Sequence, residues 1–197
     1  MKPPPAPEGR PVRIYVADAN VLYSRSLRDY LLYAMRARLI AVRWSGSILA
    51  EVVEHLMENR SGFTAESGQR LVRAVNVTFP HAQVDPGLGD FAALVGLNLP
   101  DEDDRHVVAA ALAAEAEFIC THDVGDFPAE VMNVLGLTVV TPMTCCARWS
   151  RTIRTPCCGS TDKRWLSYPV PPTSPRWRHY ARPALIEPLR SCLGRFG

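Results

Sequence analysis

Five acidic residues follow predicted strands or accompany predicted helices, the positions where α/β proteins place ligand-binding side chains. Asp18 comes directly after the apolar run 12–17, and Asp104 precedes an alanine-rich stretch with apolar positions at helical spacing. A carboxylate at the head of a buried helical stripe is costly to desolvate unless something pairs with its charge. The full set of candidate acids is Asp18, Glu51, Asp104, Asp123 and Asp126.

Convergent carboxylates predict a hard divalent cation, because oxygen ligands suit Mg²⁺ or Mn²⁺. Two such ions roughly 3.5–4 Å apart can activate a water molecule and stabilise the leaving oxygen in phosphodiester hydrolysis. The alternative is that Asp18 and Asp104 only cap helices, since aspartate is a strong N-cap residue. The number of acids spread along one α/β pattern favours the metal site.

The elements that must position these acids alternate between strand and helix from about residue 12 to residue 141. Such alternation predicts an α/β sandwich with a parallel sheet, in which ligands bind beyond the carboxyl ends of the strands. The predicted strands are 12–17, 117–121 and 137–141, and the predicted helices are roughly 24–38, a helix capped by Ser47, 65–75 and 101–115.

Four short motifs surround the candidate acids. They are VADANVLYS around Asp18, ILAEVVEHL around Glu51, PDEDDRHVVAAAL around Asp104, and THDVGDFP with Asp123 and Asp126. Taken together and in this order, they resemble the motifs of PIN-domain nucleases, in particular the VapC-like toxins of type II toxin–antitoxin pairs. The resemblance implies a PIN-like α/β/α sandwich with a short parallel sheet.

The same resemblance implies a Mg²⁺- or Mn²⁺-dependent endoribonuclease that hydrolyses RNA with a metal-activated water. It also implies a cognate antitoxin as partner and a homodimer. The competing hypothesis is a PIN fold that binds RNA or a partner without cutting, or an inactive truncated or frameshifted product. The residues that carry over are Asp18, Glu51, Asp104 and Asp123 as catalytic and metal-binding acids, Asp126 as a further metal ligand, and Asn20 and Thr121 as supporting residues.

The histidines and arginines near these motifs are predicted to have ordinary surface roles. His106 and His122 stand near the acids, but single histidines more often lie at the surface or cap a helix, and substrate contact is the less favoured alternative. His55 is expected on a solvated helix edge. The arginines of the helix at 24–38 are interpreted as a solvated face, with contact to RNA phosphates as the alternative.

Charge divides the 197 residues into two unlike parts. Residues 1–142 carry 12 Lys and Arg against 18 Asp and Glu, whereas residues 143–197 carry 10 against 2. No apolar run is long enough for a membrane span, and the first residues lack the apolar core of a secretory signal. Only Cys120 of the six cysteines precedes residue 145, which favours a cytoplasmic protein.

The chain after Pro142 departs from the PIN-like pattern. VapC-like chains of this type usually continue with a helix that opens T-P-D-[DE]-[FL]-L, whereas Thr141 and Pro142 are followed here by MTCCARW. Reading the same codons from the third base of the Pro142 codon is compatible with Asp-Asp-Leu-Leu-Arg-Ala-Val. We therefore predict that one base is lost near this codon and that residues from about Met143 are out of frame. The alternatives are a basic, tryptophan-containing RNA-binding tail and, less favoured, a zinc module.

Three segments follow from these observations. Residues 1–11, with five prolines, are predicted to be a flexible lead-in. Residues 12–142 are predicted to be the PIN-like nuclease domain. Residues 143–197 are predicted to be an irregular, disordered or out-of-frame tail.

Overall fold

A sheet of five parallel strands forms the centre of the domain. The computed structural model describes residues 12–145, so the predicted lead-in and nearly all of the predicted tail lie outside the described residues. The strand order is β3-β2-β1-β4-β5, and every neighbouring pair is parallel. The predicted α/β architecture with a short parallel sheet is confirmed. The strands are β1 (Ile14–Ala17), β2 (Ala41–Ser45), β3 (Gln83–Val84), β4 (Phe118–Cys120) and β5 (Thr138–Val140).

Seven α-helices flank this sheet within the described residues, and a short 3-10 helix follows β4. Helix α6 packs against β1, β2 and β4, α1 packs against α3, and α3 also contacts α4 and α6. No helix between residues 12 and 145 is long and apolar enough to cross a membrane. The helices are α1 (Ala19–Tyr23), α2 (Arg25–Arg36), α3 (Gly46–Asn59), α4 (Ala65–Thr78), α5 (Leu88–Ala92), α6 (Arg105–Ala113) and α7 (Ala129–Val134), with the 3-10 helix at Val124–Asp126.

The two central strands are buried on both faces. Val16 of β1 and Ile119 of β4 are fully buried and pair with each other in the register of the sheet. Runs of apolar residues that are buried on both faces are typical of parallel strands covered by helices. Burying each such side chain contributes roughly 1.5–3 kcal/mol to the stability of the fold. This strand pair therefore holds the residues directly after β1 and β4 in fixed positions.

Helix α6 is enclosed by its neighbours along its middle. Residues 107–111 are all fully buried, and three of the five are alanines. Small side chains let the helix lie close to β1, β2 and β4. Its first turn, which follows Asp104, is thereby fixed against the sheet.

Close packing also joins α3 and α4. Gly68 of α4 is buried against Val53 of α3, and a Cβ atom added at Gly68 would overlap the Val53 side chain. Only glycine allows this approach of the two helices.

Several element boundaries differ from the sequence predictions. Ser45 caps α3, because its Oγ accepts a hydrogen bond from the Ile48 amide at 3.2 Å, so the prediction of Ser47 as N-cap is wrong. The reason is that β2 runs through Ser45 and the chain enters the helix directly. Helix α6 begins at Arg105 instead of residue 101. The elements β2, β3, α1, α5 and α7 were not predicted.

The described chain ends in a short helical turn at residues 142–145. Thr141 caps it, since its Oγ1 accepts a hydrogen bond from the Thr144 amide at 3.2 Å. Cys145 is fully buried. The predicted loss of reading frame concerns residues that, from 146 onward, lie outside the described part, and it stays a prediction.

Candidate active site

The carboxyl ends of β1 and β4 bring the first and last motifs together. These strands are neighbours, with Ala17 paired to Cys120, and the Asp18 amide donates a hydrogen bond to the Cys120 carbonyl at 3.0 Å. Asp18 directly follows β1, and Asp123 lies three residues beyond the end of β4. Two acids that are 105 positions apart in the sequence therefore lie at one edge of the sheet.

Asn20 links the residues at this edge. Its Nδ2 lies 2.9 Å from Asp18 Oδ2, 2.9 Å from Thr121 Oγ1 and 3.0 Å from Asp123 Oδ2. Its Oδ1 accepts a hydrogen bond from the His122 amide at 3.2 Å. Because an amide nitrogen carries two hydrogens, the three acceptors share them. The structure thus brings together four residues that the sequence predicted for the site: Asp18, Asn20, Thr121 and Asp123.

Asp18 is a buried acid with both oxygens engaged. Oδ1 accepts from the Ala19 amide at 2.6 Å, and Oδ2 accepts from the Thr121 hydroxyl at 2.7 Å. The pKa of Asp18 is raised to about 6, first by burial and also by the charge of Glu51, against the lowering effect of these two hydrogen bonds. The helix-capping interpretation therefore holds for part of what Asp18 does, since it caps α1.

Asp104 does not cap its helix. It occupies the N-cap position of α6, but its backbone is helical and its side chain accepts no capping hydrogen bond. Burial raises its pKa to about 7, and the charges of Asp18, Asp101, Asp126 and Glu51 raise it too. For Asp104 the capping alternative is wrong. Its carboxyl group instead lies in the electrostatic field of four other acids. Three of these, Asp18, Glu51 and Asp126, are candidate site residues from the other motifs.

Glu51 lies between two histidines. Its Oε2 is 3.4 Å from His106 Nε2, and its Oε1 is 3.4 Å from His55 Nε2. The contact with His106 is the largest cause of a lowered pKa at Glu51, and the same contact raises the pKa of His106. His55 also lies 3.5 Å from Glu58 and edge-on to Tyr23, so it is half-buried instead of lying on a solvated edge.

His106 is the residue whose involvement sequence reasoning underestimated. It stands two positions after Asp104, and the only available signal was this spacing at the head of the alanine-rich helix. Its contact with Glu51 depends on how α3 and α6 pack, which no local pattern reveals. His122, by contrast, has a pKa lowered by burial, and its backbone amide donates to Asn20.

The side chains at this site are of the type that binds a divalent cation, but they are not arranged around a common point. The pKa of Asp104 is raised by several neighbouring carboxylates, which is the electrostatic situation that a bound cation relieves. Carboxylate oxygens are the ligands that Mg²⁺ and Mn²⁺ prefer. Between residues 12 and 145, however, no three His, Cys, Asp or Glu side chains are arranged to hold an ion as they stand. The residues fit the group by charge and donor type.

The fold and the site define an α/β domain with an acidic site at the carboxyl edge of a parallel sheet. A sequence model of the PIN domain matches residues 15–125, which is more than half of the 197 residues. The chain therefore belongs to the PIN domain family, whose members are generally nucleases.

Two solved structures are similar to the chain at low identity. VapBC2 from Rickettsia felis, bound to a DNA fragment from its promoter, is 16% identical with a TM-score of 0.45, covering 65% of this chain and 98% of its own. FitAB bound to the IR36 DNA fragment is 16% identical with a TM-score of 0.46, covering 65% of this chain and 94% of its own. A comparison with curated proteins gave no significant sequence match.

Proposed function

We propose that this protein is a divalent-metal-dependent endoribonuclease that hydrolyses phosphodiester bonds in RNA. The observation that supports it most directly is Asp104, which has no capping role and has a pKa raised to about 7 by burial and by four other carboxylates. Maintaining that repulsion in a folded protein is costly unless a cation relieves it. Membership of the PIN domain family supports the same proposal.

In this proposal the ion is held by Asp18, Glu51, Asp104 and Asp123, with Asp126 as a further ligand. When bound, Mg²⁺ or Mn²⁺ would stabilise charge on the phosphate and lower the pKa of water at the site. The protein's own contribution is orientation. The Thr121 hydroxyl fixes one oxygen of Asp18, so this acid keeps its position at the end of β1.

Asn20 orients the two acids of the sheet edge relative to each other. Its amide donates towards both Asp18 and Asp123, and its own oxygen is held by the His122 amide. Donor groups on a side chain that is itself held in place keep neighbouring carboxylates at a fixed separation, as supporting residues around metal sites do. We assign Asn20 and Thr121 this supporting role.

Biological context is proposed from the motif resemblance. The protein would act as the toxin of a toxin–antitoxin pair in the cytoplasm, with a cognate antitoxin that blocks the acidic site and with a homodimeric assembly. Co-expression with the product of the adjacent reading frame, followed by size-exclusion chromatography with light scattering, tests both partners. A chain that elutes as a monomer and retains no co-expressed protein contradicts this part of the proposal.

Cleavage of labelled single-stranded RNA tests the activity. The EDTA-treated full chain should cut only after Mg²⁺ or Mn²⁺ is added, and Asp18→Asn and Asp104→Asn should each reduce the rate by about 100-fold or more. Asp29→Asn is the matched control, because Asp29 is an exposed acid of α2 that pairs with Arg25 at 3.8 Å. Equal cleavage by wild type and Asp18→Asn refutes the mechanism. Binding of metal and RNA without any cleavage supports the non-catalytic alternative.

A further inference from the structure

His106 has one ring nitrogen in an unusual position. The Nε2 atom is buried and makes no hydrogen bond to any residue between 12 and 145, although 23% of the side chain is exposed. Its nearest charged neighbour is Glu51, with 3.4 Å between Nε2 and Oε2, a distance that lacks hydrogen-bond alignment. A buried polar atom without a hydrogen-bond partner calls for an unseen ligand or ion.

A hydrogen bond at the other ring nitrogen fixes the orientation of the imidazole ring. Nδ1 lies 2.6 Å from the carbonyl oxygen of Asp103, and because a carbonyl only accepts, Nδ1 carries the hydrogen. This hydrogen bond holds the ring with Nε2 beside the carboxylate of Glu51. A ring that donates one N–H to a backbone carbonyl and leaves the other nitrogen free is the usual arrangement of a metal-binding histidine.

The distance between Nε2 and the Glu51 carboxylate fits two ligands of one ion. A proton on Nε2 makes this contact favourable in the metal-free protein, and a divalent ion bound to both atoms would replace that proton. An ion at roughly 2.1 Å from each atom, the usual metal–nitrogen and metal–oxygen distance, would see them at an angle of about 110°. The observed 3.4 Å separation thus matches two adjacent ligands of one ion.

We propose that His106 Nε2 and Glu51 bind the divalent ion of this site together, giving it a nitrogen donor and a preference for Mn²⁺ over Mg²⁺. The inference rests on the proposed metal-dependent nuclease. Mg²⁺ favours an all-oxygen environment, whereas imidazole suits transition metals. The carboxylates alone would bind either ion, and the imidazole nitrogen is what favours Mn²⁺.

His55 provides a matched control within the same cluster. Its Nε2 lies at the same 3.4 Å from Glu51, but on the other oxygen, and its Nδ1 faces Glu58 instead of a backbone carbonyl. His55 therefore shares the ion-pair contact with Glu51 and lacks the geometry of a metal ligand. A residue that only positions Glu51 would behave as His55 does.

Pulsed electron paramagnetic resonance of the full chain with Mn²⁺ tests the proposal, alongside calorimetric titrations with Mn²⁺ and with Mg²⁺. Wild type should show ¹⁴N modulation of the Mn²⁺ signal, which changes to ¹⁵N frequencies when the protein is grown with ¹⁵N-histidine. His106→Gln should abolish the modulation and weaken Mn²⁺ binding by about tenfold or more while changing Mg²⁺ binding by less than about threefold. His55→Gln should retain the modulation.

Other outcomes overturn the proposal in distinguishable ways. Mn²⁺ that binds wild type without nitrogen modulation refutes the histidine ligand and leaves the nuclease proposal standing. Equal loss of Mn²⁺ affinity in His106→Gln and His55→Gln shows that both histidines only position Glu51. If neither ion binds wild type, both the inference and the proposed metal dependence fail. The labelled wild type shows whether a histidine binds the ion even if His106→Gln does not fold, and a signal that persists in His55→Gln excludes the other histidine of this cluster.

Discussion

Removing the charge of Asp104 is expected to stabilise the metal-free protein at neutral pH. The pKa of this half-buried acid is raised from 3.8 to about 7, chiefly by burial and then by neighbouring carboxylates. An acid with a raised folded-state pKa contributes its full stability below pH 3.8 and loses it as the pH rises through about 7. Asparagine keeps the shape without ionising, so Asp104→Asn should match wild type near pH 4 and exceed it near pH 8.

The size of the effect follows from the two pKa values. A change from 3.8 to about 7 corresponds to at most about 4 kcal/mol of unfolding free energy, at about 1.4 kcal/mol per pH unit. Asp104 is half exposed, and water and salt screen its interactions, which reduces the expected gain to about 1–2 kcal/mol. For a domain of this size that gain is a rise in melting temperature of roughly 3–6 °C.

Urea unfolding in EDTA between about pH 4 and pH 8, followed by circular dichroism, measures this gain. Glu51→Gln is the control of opposite sign. The pKa of Glu51 is lowered, first by its contact with His106, so its charge stabilises the fold above its ordinary pKa of 4.5 and this stability is lost as the pH falls through the lowered value. Glu51→Gln should therefore destabilise the protein near neutral pH.

Two results would refute this reasoning. One is an Asp104→Asn variant that is less stable than wild type near pH 8. The other is a gain of equal size near pH 4 and near pH 8, which would show that the effect comes from packing instead of charge. Addition of Mn²⁺ should raise the stability of wild type more than that of Asp104→Asn.

Three further contacts can be tested by substitution, each with urea unfolding as the measurement. Thr121→Val should cost about 1–3 kcal/mol, because it removes the hydroxyl donor from a buried carboxylate, and a cost below about 0.5 kcal/mol would contradict the network. Gly68→Ala should cost about 1–3 kcal/mol, and Val53→Ala in the same chain should recover part of that loss; additive losses would show that the two residues do not contact. Ser45→Ala should cost about 1 kcal/mol of unfolding free energy and Ser47→Ala less than about 0.5 kcal/mol. A larger loss for Ser47→Ala than for Ser45→Ala would contradict the assignment of Ser45 as the N-cap of α3.

The sequence predicts the acids at the strand ends because their signals are local. A buried apolar run followed by Asp18, and another followed by Asp123, indicate both the strands and the edge at which they end. The structure places β1 and β4 side by side, and this adjacency brings the two acids together. The placement of Asp18 and Asp123 is therefore the most predictable part of the site.

Other features depend on tertiary packing that no local pattern encodes. The contact between Glu51 and His106 arises because α3 and α6 pack together, although the two residues are 55 positions apart. Strand β2 was missed because Arg43 interrupts its apolar run, and β3 has only two residues. The cap at Ser45 was missed because it depends on where that unseen strand ends.

The pairing of β1 with β4 also has a consequence for biosynthesis. The hydrogen bonds from Thr121 and Asn20 join the start of the domain to residues 101 to 103 positions later. A nascent chain that has not yet released β4 from the ribosome cannot form this network, however well its first helices have folded. Contacts of such long sequence separation also slow folding, because a long loop must close before they form. The acidic edge is thus assembled only after most of the domain has been translated, and a partner that is translated earlier would already be present when it forms.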